Sequence, residues 1–190
     1  MNVQRLLGLL LVLVMIIGSV PKATIWQTNG KEGDGILSKV RSIKVSSFDD
    51  KRSFVVTERV RKEANIGCMD NVFKHKFFSK VEENVDSTRI AIHRLEKDSI
   101  DKLILKELGK EREETSLTHF FVLLKNQSRG QSGPLLTNGY GNVAYIKGND
   151  GNLWAVCANW NRDDYYWGIF AHPIDSTNYM FANRQVISSD

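Results

Sequence analysis

At 190 residues, 42% of them hydrophobic and 25% charged, the chain has the size and make-up of one folded domain, and no repeat, low-complexity tract or interdomain linker divides it. Its 26 basic and 22 acidic side chains are too nearly balanced to argue for nucleic acid as the partner. The four histidines, His75, His93, His119 and His172, fall without metal-ligand spacing, and with no phosphate loop or dinucleotide fingerprint the sequence points to no metal and no cofactor.

Arg5 is followed by LLGLLLVLVMIIGSV, residues 6–20, with neither charge nor proline. At 1.5 Å per residue this run makes about 22 Å of helix, short of the roughly 30 Å hydrocarbon core of a bilayer. Small residues follow at Gly18, Ser19 and Ala23, the order of an export signal. Residues 1–23 are therefore expected to be a removable signal peptide, and residues 24–190 a single domain, secreted or periplasmic, with no stable membrane span. Removing Arg5 and Lys22 with the leader leaves 24 basic side chains against 22 acidic ones. They are unevenly spread: residues 38–80 hold 11 basic and 5 acidic side chains, a patch suited to an anionic glycan or membrane surface.

Residues 24–35 read as loop or edge strand, with NGKEGDG as the turn. Over residues 36–48 the pattern is split, because Ile36, Leu37, Val40 and Ile43 suit a helix while Ile43, Val45 and Ser47 alternate as in a strand. Phe54, Val56, Glu58 and Val60 alternate and predict a half-buried strand. Met69, Val72, Phe73, Phe77, Val81 and Val85 recur at steps of three and four, which predicts a core-facing helix over 69–85. Residues 88–95 alternate, with Ile90 and Ile92 on one side. A second helix is predicted over 98–108, with Ile100, Leu103, Ile104 and Leu108 inward, Asp98 or Ser99 as N-cap and Gly109 closing it. Residues 116–125 are apolar on both parities and predict an interior strand.

The last fifty residues carry the most pattern. A two-residue bend at Asp150-Gly151 would set Lys147 opposite Trp154, Tyr145 opposite Val156 and Val143 opposite Ala158. A loop at 161–164 would then set Trp160 opposite Tyr165, Ala158 opposite Trp167 and Trp154 opposite Ala171, so that each large indole meets an alanine. The expected fold is α+β: an antiparallel sheet ending in a three-stranded C-terminal meander, with two helices packed on one face. In an oxidising compartment Cys68 and Cys157 are expected to form a disulfide that staples the first helix to the small-residue face of the meander.

That register gathers Tyr145, Trp154, Trp160, Tyr165 and Trp167 on the other face. Asparagines at the strand ends supply amides, including Asn138, Asn142, Asn149, Asn152, Asn159 and Asn161. Stacking rings beside a few amides are what glycan- and peptide-binding surfaces use. The expected function is thus a non-catalytic binding module, engaging glycan or protein outside the cytosol. A small secreted hydrolase with unassigned catalytic residues, or a self-associating envelope or matrix component, are the alternatives. Asn126 heads the glycosylation sequon Asn126-Gln127-Ser128. Residues 130–135, GQSGPL, resemble the glycine-flanked serine of trypsin-like proteases, with Ser132 in the nucleophile's place and His75 or His93 as base. Gln131 stands where that pattern has Asp, however, and Pro134 where it has a second Gly, so the segment reads as a turn between strands. His172, at a strand end on the helix-facing side, is expected to be hydrogen-bonded structure rather than a catalyst.

Overall fold

The computed structural model describes residues 35–48, 53–174 and 179–190; the signal peptide expected over residues 1–23 and most of the first expected turn lie outside the described residues. In chain order the elements are β1 (Leu37–Val45), β2 (Ser53–Phe54), α1 (Glu58–Glu63), β3 (Ile66–Met69), α2 (Asn71–Phe77), β4 (Glu82–Glu83) and β5 (Thr88–Leu95). They continue with α3 (Asp101–Leu108), α4 (Leu117–Asn126), β6 (Asn142–Lys147), β7 (Leu153–Asn161), β8 (Tyr166–Pro173) and β9 (Gln185–Ser189). Seven strands form one sheet in the order β1-β5-β9-β6-β7-β8-β3, while β2 and β4 pair separately.

The α+β class and the meander β6-β7-β8 are present, but the sheet is mixed rather than antiparallel. Strand β9 runs parallel to β6, and β3 runs parallel to β8. The cause is the C-terminal QVISS segment, which inserts between β5 and β6 and buries Val186 and Ile187 on opposite faces, as a central strand requires.

Helices cover both faces, not one. Phe73 and Phe77 of α2 and Phe120, Phe121 and Leu124 of α4 pack against Ile90, Ile92, Ala144, Ile146, Val156, Trp167 and Ile169. On the opposite face, Ile104, Leu105 and Leu108 of α3 pack against Val143, Tyr145, Ala155, Cys157 and Val186. The small residues expected to admit the helix beside Cys68 instead admit α3.

Several local expectations change with a physical cause. Within residues 36–48 the strand pattern prevails, as β1 over Leu37–Val45. The 54–60 alternation splits: Phe54 stays in a short strand, and Thr57 then caps α1 by accepting a hydrogen bond from Val60 N at 3.3 Å, so Val60 reaches the core from a helix. The helix predicted over 69–85 is confined to α2. Asp70 caps it by accepting from Phe73 N at 2.6 Å, Phe73 stacks on Phe77 at 4.9 Å, and Val72 and Val81 are exposed. In α3 the N-cap position is Ile100, Asp101 is buried, Leu103 points to solvent, and Gly109 N donates to Leu105 O at 3.0 Å.

The largest change is α4, predicted as a strand. Ser116 Oγ accepts from His119 N at 3.1 Å, and every residue from Leu117 to Leu124 is buried. A helix enclosed on all sides is apolar on all sides, so it shows no stripe that would distinguish it from an interior strand. Its N-terminus is held by Glu82, whose carboxylate accepts from Leu117 N at 2.8 Å, Thr118 N at 2.7 Å and Thr118 Oγ1 at 2.6 Å. Lys80 Nζ lies 2.7 Å from the same carboxylate. Burial opposes the charge on Glu82, but the bonds from Lys80 and Thr118 outweigh it and hold the carboxyl below its ordinary range.

The register of the meander also differs from the expected one. Lys147 pairs with Leu153, Ile146 with Trp154, Tyr145 with Ala155 and Val143 with Cys157, leaving a loop over 148–152 instead of a two-residue bend. The loop is wide because it docks on α2: Asn149 N donates to Lys76 O at 2.9 Å, Asn149 Nδ2 donates to Ser79 Oγ at 2.8 Å, and Lys76 Nζ lies 2.9 Å from Asp150 Oδ2. A shift of one residue moves Tyr145 to the opposite face from Trp154. Between β7 and β8 the shift is two residues and preserves the faces: Trp160 pairs with Trp167, Val156 with Ala171 and Trp154 with Pro173. The two indoles do meet, edge to face at 5.1 Å and 71°, a geometry that removes the crowding a parallel pair would suffer.

Candidate functional site

The five rings expected to form one surface are dispersed. Trp167 is 0% exposed and Trp160 is buried beside it, with Trp167 Nε1 donating to Gln127 O at 3.2 Å. The segment after α4 seals them. Gln127 donates from Nε2 to Gln131 O at 2.9 Å and Leu135 O at 3.2 Å, and its Oε1 accepts from Leu135 N at 2.7 Å. Gly130, at φ +66, lies so close that a Cβ there would sit 2.3 Å from the Trp160 ring. Ser132 is therefore on an exposed turn of a packed lid rather than beside a base. Trp154 is half-buried, with Lys76 Nζ 4.7 Å from its ring and its Nε1 donating to Asp150 Oδ1 at 3.2 Å. Tyr165 stands 70% exposed in the β7–β8 loop.

Tyr145 is 0% exposed on the α3 side, where its hydroxyl donates to Asp101 Oδ1 at 2.8 Å; burial, reinforced by that carboxylate, holds the phenol far above its ordinary range. His172 Nε2 lies 3.1 Å from Asp101 Oδ2, so one buried carboxylate ties the start of α3 to β6 and β8. His93 Nε2 lies 3.1 Å from Ser188 Oγ, but that hydroxyl is fully buried and donates to Ser189 O at 2.9 Å.

Cys68 and Cys157 are free thiols rather than a disulfide. Cys68 pairs with Gly168 and Cys157 with Phe170, so strand β8 runs between them, beyond the reach of an S–S bond. Cys157 Sγ donates to Asn159 Oδ1 at 3.0 Å, and burial, opposed by Arg184, pushes the thiol up to about 11. It is protonated at neutral pH and is not a thiolate nucleophile. Asn126 is exposed at the last position of α4. Among the described residues no group of three or more His, Cys, Asp or Glu could hold a metal ion, and no helix is long and apolar enough to cross a membrane.

A different surface brings rings and amides together. The ends of β5, β9 and β6 align Arg94, Gln185 and Asn142 across neighbouring strands. The Asn142 amide clamps the preceding loop: its Oδ1 accepts from Leu136 N at 2.8 Å, and its Nδ2 donates to Leu136 O at 3.0 Å and Ala158 O at 3.1 Å. Asn138 Oδ1 accepts from Tyr140 N at 3.2 Å, and Gly139 takes φ +94, which turns Tyr140 outward, 44% exposed.

A second loop is tied to the same sheet end. Asn183 N donates to Leu95 O at 2.8 Å, Leu95 N donates to Arg184 O at 2.9 Å, and Ala182 N donates to Asp98 Oδ1 at 2.7 Å. Between the two loops lie two adjoining hollows that share Tyr140 and Asn183. One, of about 400 Å³, is lined by Asp98, Asn159, Phe181 and Arg184; the other, of about 430 Å³, by Arg41, Arg94, Asn138 and Gln185.

The groove offers two exposed rings, Tyr140 and Phe181, several amides and three guanidinium groups. These groups can stack on a ligand and hydrogen-bond to it. The readable signal was T-N-G-Y-G-N, an aromatic set among turn residues outside any strand alternation. Comparison of the chain with protein-family models, with curated proteins and with solved structures gives no match, so function is read from the geometry of this groove.

Proposed function

We propose that the protein is a non-catalytic binding module that engages a glycan or a protein outside the cytosol, through the groove at the Tyr140 end of the sheet. The observation that carries this reading is Tyr140 itself: a ring held out by a clamped loop, between two polar hollows lined with amides. A ring held exposed by its own loop beside polar hollows presents a flat face on which a ligand can stack. The location outside the cytosol rests on the export-signal pattern of residues 1–23. Calorimetric titration against glycans and against candidate protein partners tests the reading. Binding that disappears in Tyr140→Ala, with the melting temperature unchanged, supports it; binding that survives Tyr140→Ala and Phe181→Ala removes it.

The Asp101–His172 pair favours one second reading, a hydrolase in which His172 acts as base, because a buried carboxylate behind an accessible imidazole is how such bases are oriented. An activity abolished by His172→Ala while folding persists would select that reading over the first.

A further inference from the structure

Building on the binding-groove reading, we propose that the ligand is an acidic saccharide, with its anionic group held by Arg41 and Arg94 and a sugar hydroxyl donated to Gln185. Arg41 of β1 is paired with Ile92, and Arg94 of β5 with Ser38, with a bulge at Val40 between the two pairs. The arginines are therefore diagonal neighbours on one face, and both line the same hollow. Nearby cations are neutralised, since Lys39 and Arg89 both pair with Asp190. Among the described residues Arg41 and Arg94 have no such partner, and their hollow contains no carboxylate. Two like charges side by side repel, and an anion placed between them relieves the repulsion.

Gln185 supplies an independent observation. It is 8% exposed, lines the same hollow, and among the described residues its Oε1 has no hydrogen-bond partner. A buried acceptor left unpaired destabilises the fold, and the group that satisfies it is a donor such as a hydroxyl. Tyr140 adds a stacking face at the rim. Anion, hydroxyl donor and flat ring face occur together in a uronic or sulfated sugar, whereas inorganic phosphate or sulfate offers no face for stacking. Asp98 lies in the adjoining hollow and its carboxylate is engaged by Ala182 N, so the anionic group sits on the Arg41 side of Tyr140.

The test is calorimetric titration of the purified chain with heparin oligosaccharide, polygalacturonate oligomer, neutral maltooligosaccharide and polyglutamate, each at low and at about 0.15 M salt, where screening acts over roughly 8 Å. At least one acidic saccharide is expected to bind, more weakly at the higher salt, and the neutral sugar is not. Either Arg41→Ala or Arg94→Ala should weaken binding about threefold to fivefold, and both together about tenfold or more, with unchanged melting. Gln185→Leu should raise the melting temperature while lowering affinity, a pair of effects that a purely structural glutamine would not give. Neutral-sugar binding lost in Tyr140→Ala but indifferent to both arginines would overturn the acidic assignment and leave the binding-groove reading standing. Polyglutamate binding as tightly as the saccharides would overturn it in favour of an acidic peptide. No binding to any of the four probes would overturn it as well.

Discussion

Two of the aromatic regions of the molecule sit in contrasting settings. Trp160 and Trp167 occupy adjacent strand positions and are closed over by the 127–136 segment, whereas Tyr140 stands in a glycine- and asparagine-bounded loop and faces solvent. Residue type does not separate them; backbone setting does. A ring on a pleated strand is pressed into whatever layer covers that face, while a ring on a clamped turn has no layer to join.

The contrast is tested most sharply by truncating its buried member. Trp167→Ala should cost about 3–5 kcal/mol in denaturant titration, the range for large aromatic deletions in a core, because the cavity opens under a lid that cannot collapse. Destabilisation below about 1 kcal/mol would mean that the face is open to water after all.

The next effect concerns what keeps that face covered. Glu82 holds the start of α4, and Glu82→Gln is expected to cost about 2–3 kcal/mol by exchanging a charge-assisted acceptor of several donors for a weaker, neutral one. Its folded pKa lies below the ordinary value of 4.5, so the wild-type carboxylate contributes stability in full above that pH and loses it as pH falls through the lowered folded value. The difference in unfolding free energy between wild type and Glu82→Gln should therefore shrink on acidification below pH 4.5. A difference that stays constant would remove the role assigned to the charge.

A smaller effect tests the α3 face. Tyr145→Phe removes one of the two side-chain partners of the buried Asp101 and should cost about 1–2 kcal/mol, with no loss of ligand binding, because Tyr145 is far from solvent. Loss of binding in a stable Tyr145→Phe protein would join that face to the site.

Much of the architecture was legible where periodicity is local. Strand β5 occupies the predicted residues, β6, β7 and β8 follow the expected order, and Phe73 with Phe77 marks a true helix. What failed depended on partners distant in sequence. The two-residue bend at Asp150-Gly151 was displaced because Lys76, Ser79 and Asn149 dock the loop on α2, and the resulting one-residue slip carried Tyr145 to the other face. Helix α4 has no polar stripe because it is enclosed, and β9 is central only because β5 and β6 leave a place between them. The site is partly legible as well, since Asn138, Asn142 and Asn159 fall at predicted strand ends. Tyr140, Gln185, Arg41 and Arg94 belong to four separate stretches of chain that only the sheet order brings together.

The smallest expected stability effect is also the one that defines the second region. Tyr140→Ala should change the unfolding free energy by no more than about 0.5 kcal/mol, since the ring is 44% exposed and the loop that carries it is held by Asn142 and Asn138 through bonds to the backbone. Side-chain removal leaves all of those bonds in place. If the ring were instead the hydrophobic seal of the sheet end, its deletion would admit water beneath Leu136 and lower stability by an amount comparable to a core truncation. A melting curve that overlays the wild type, together with lost binding, therefore assigns the ring to recognition; a melting curve displaced as far as that of Trp167→Ala would make the two regions alike and erase the distinction between them.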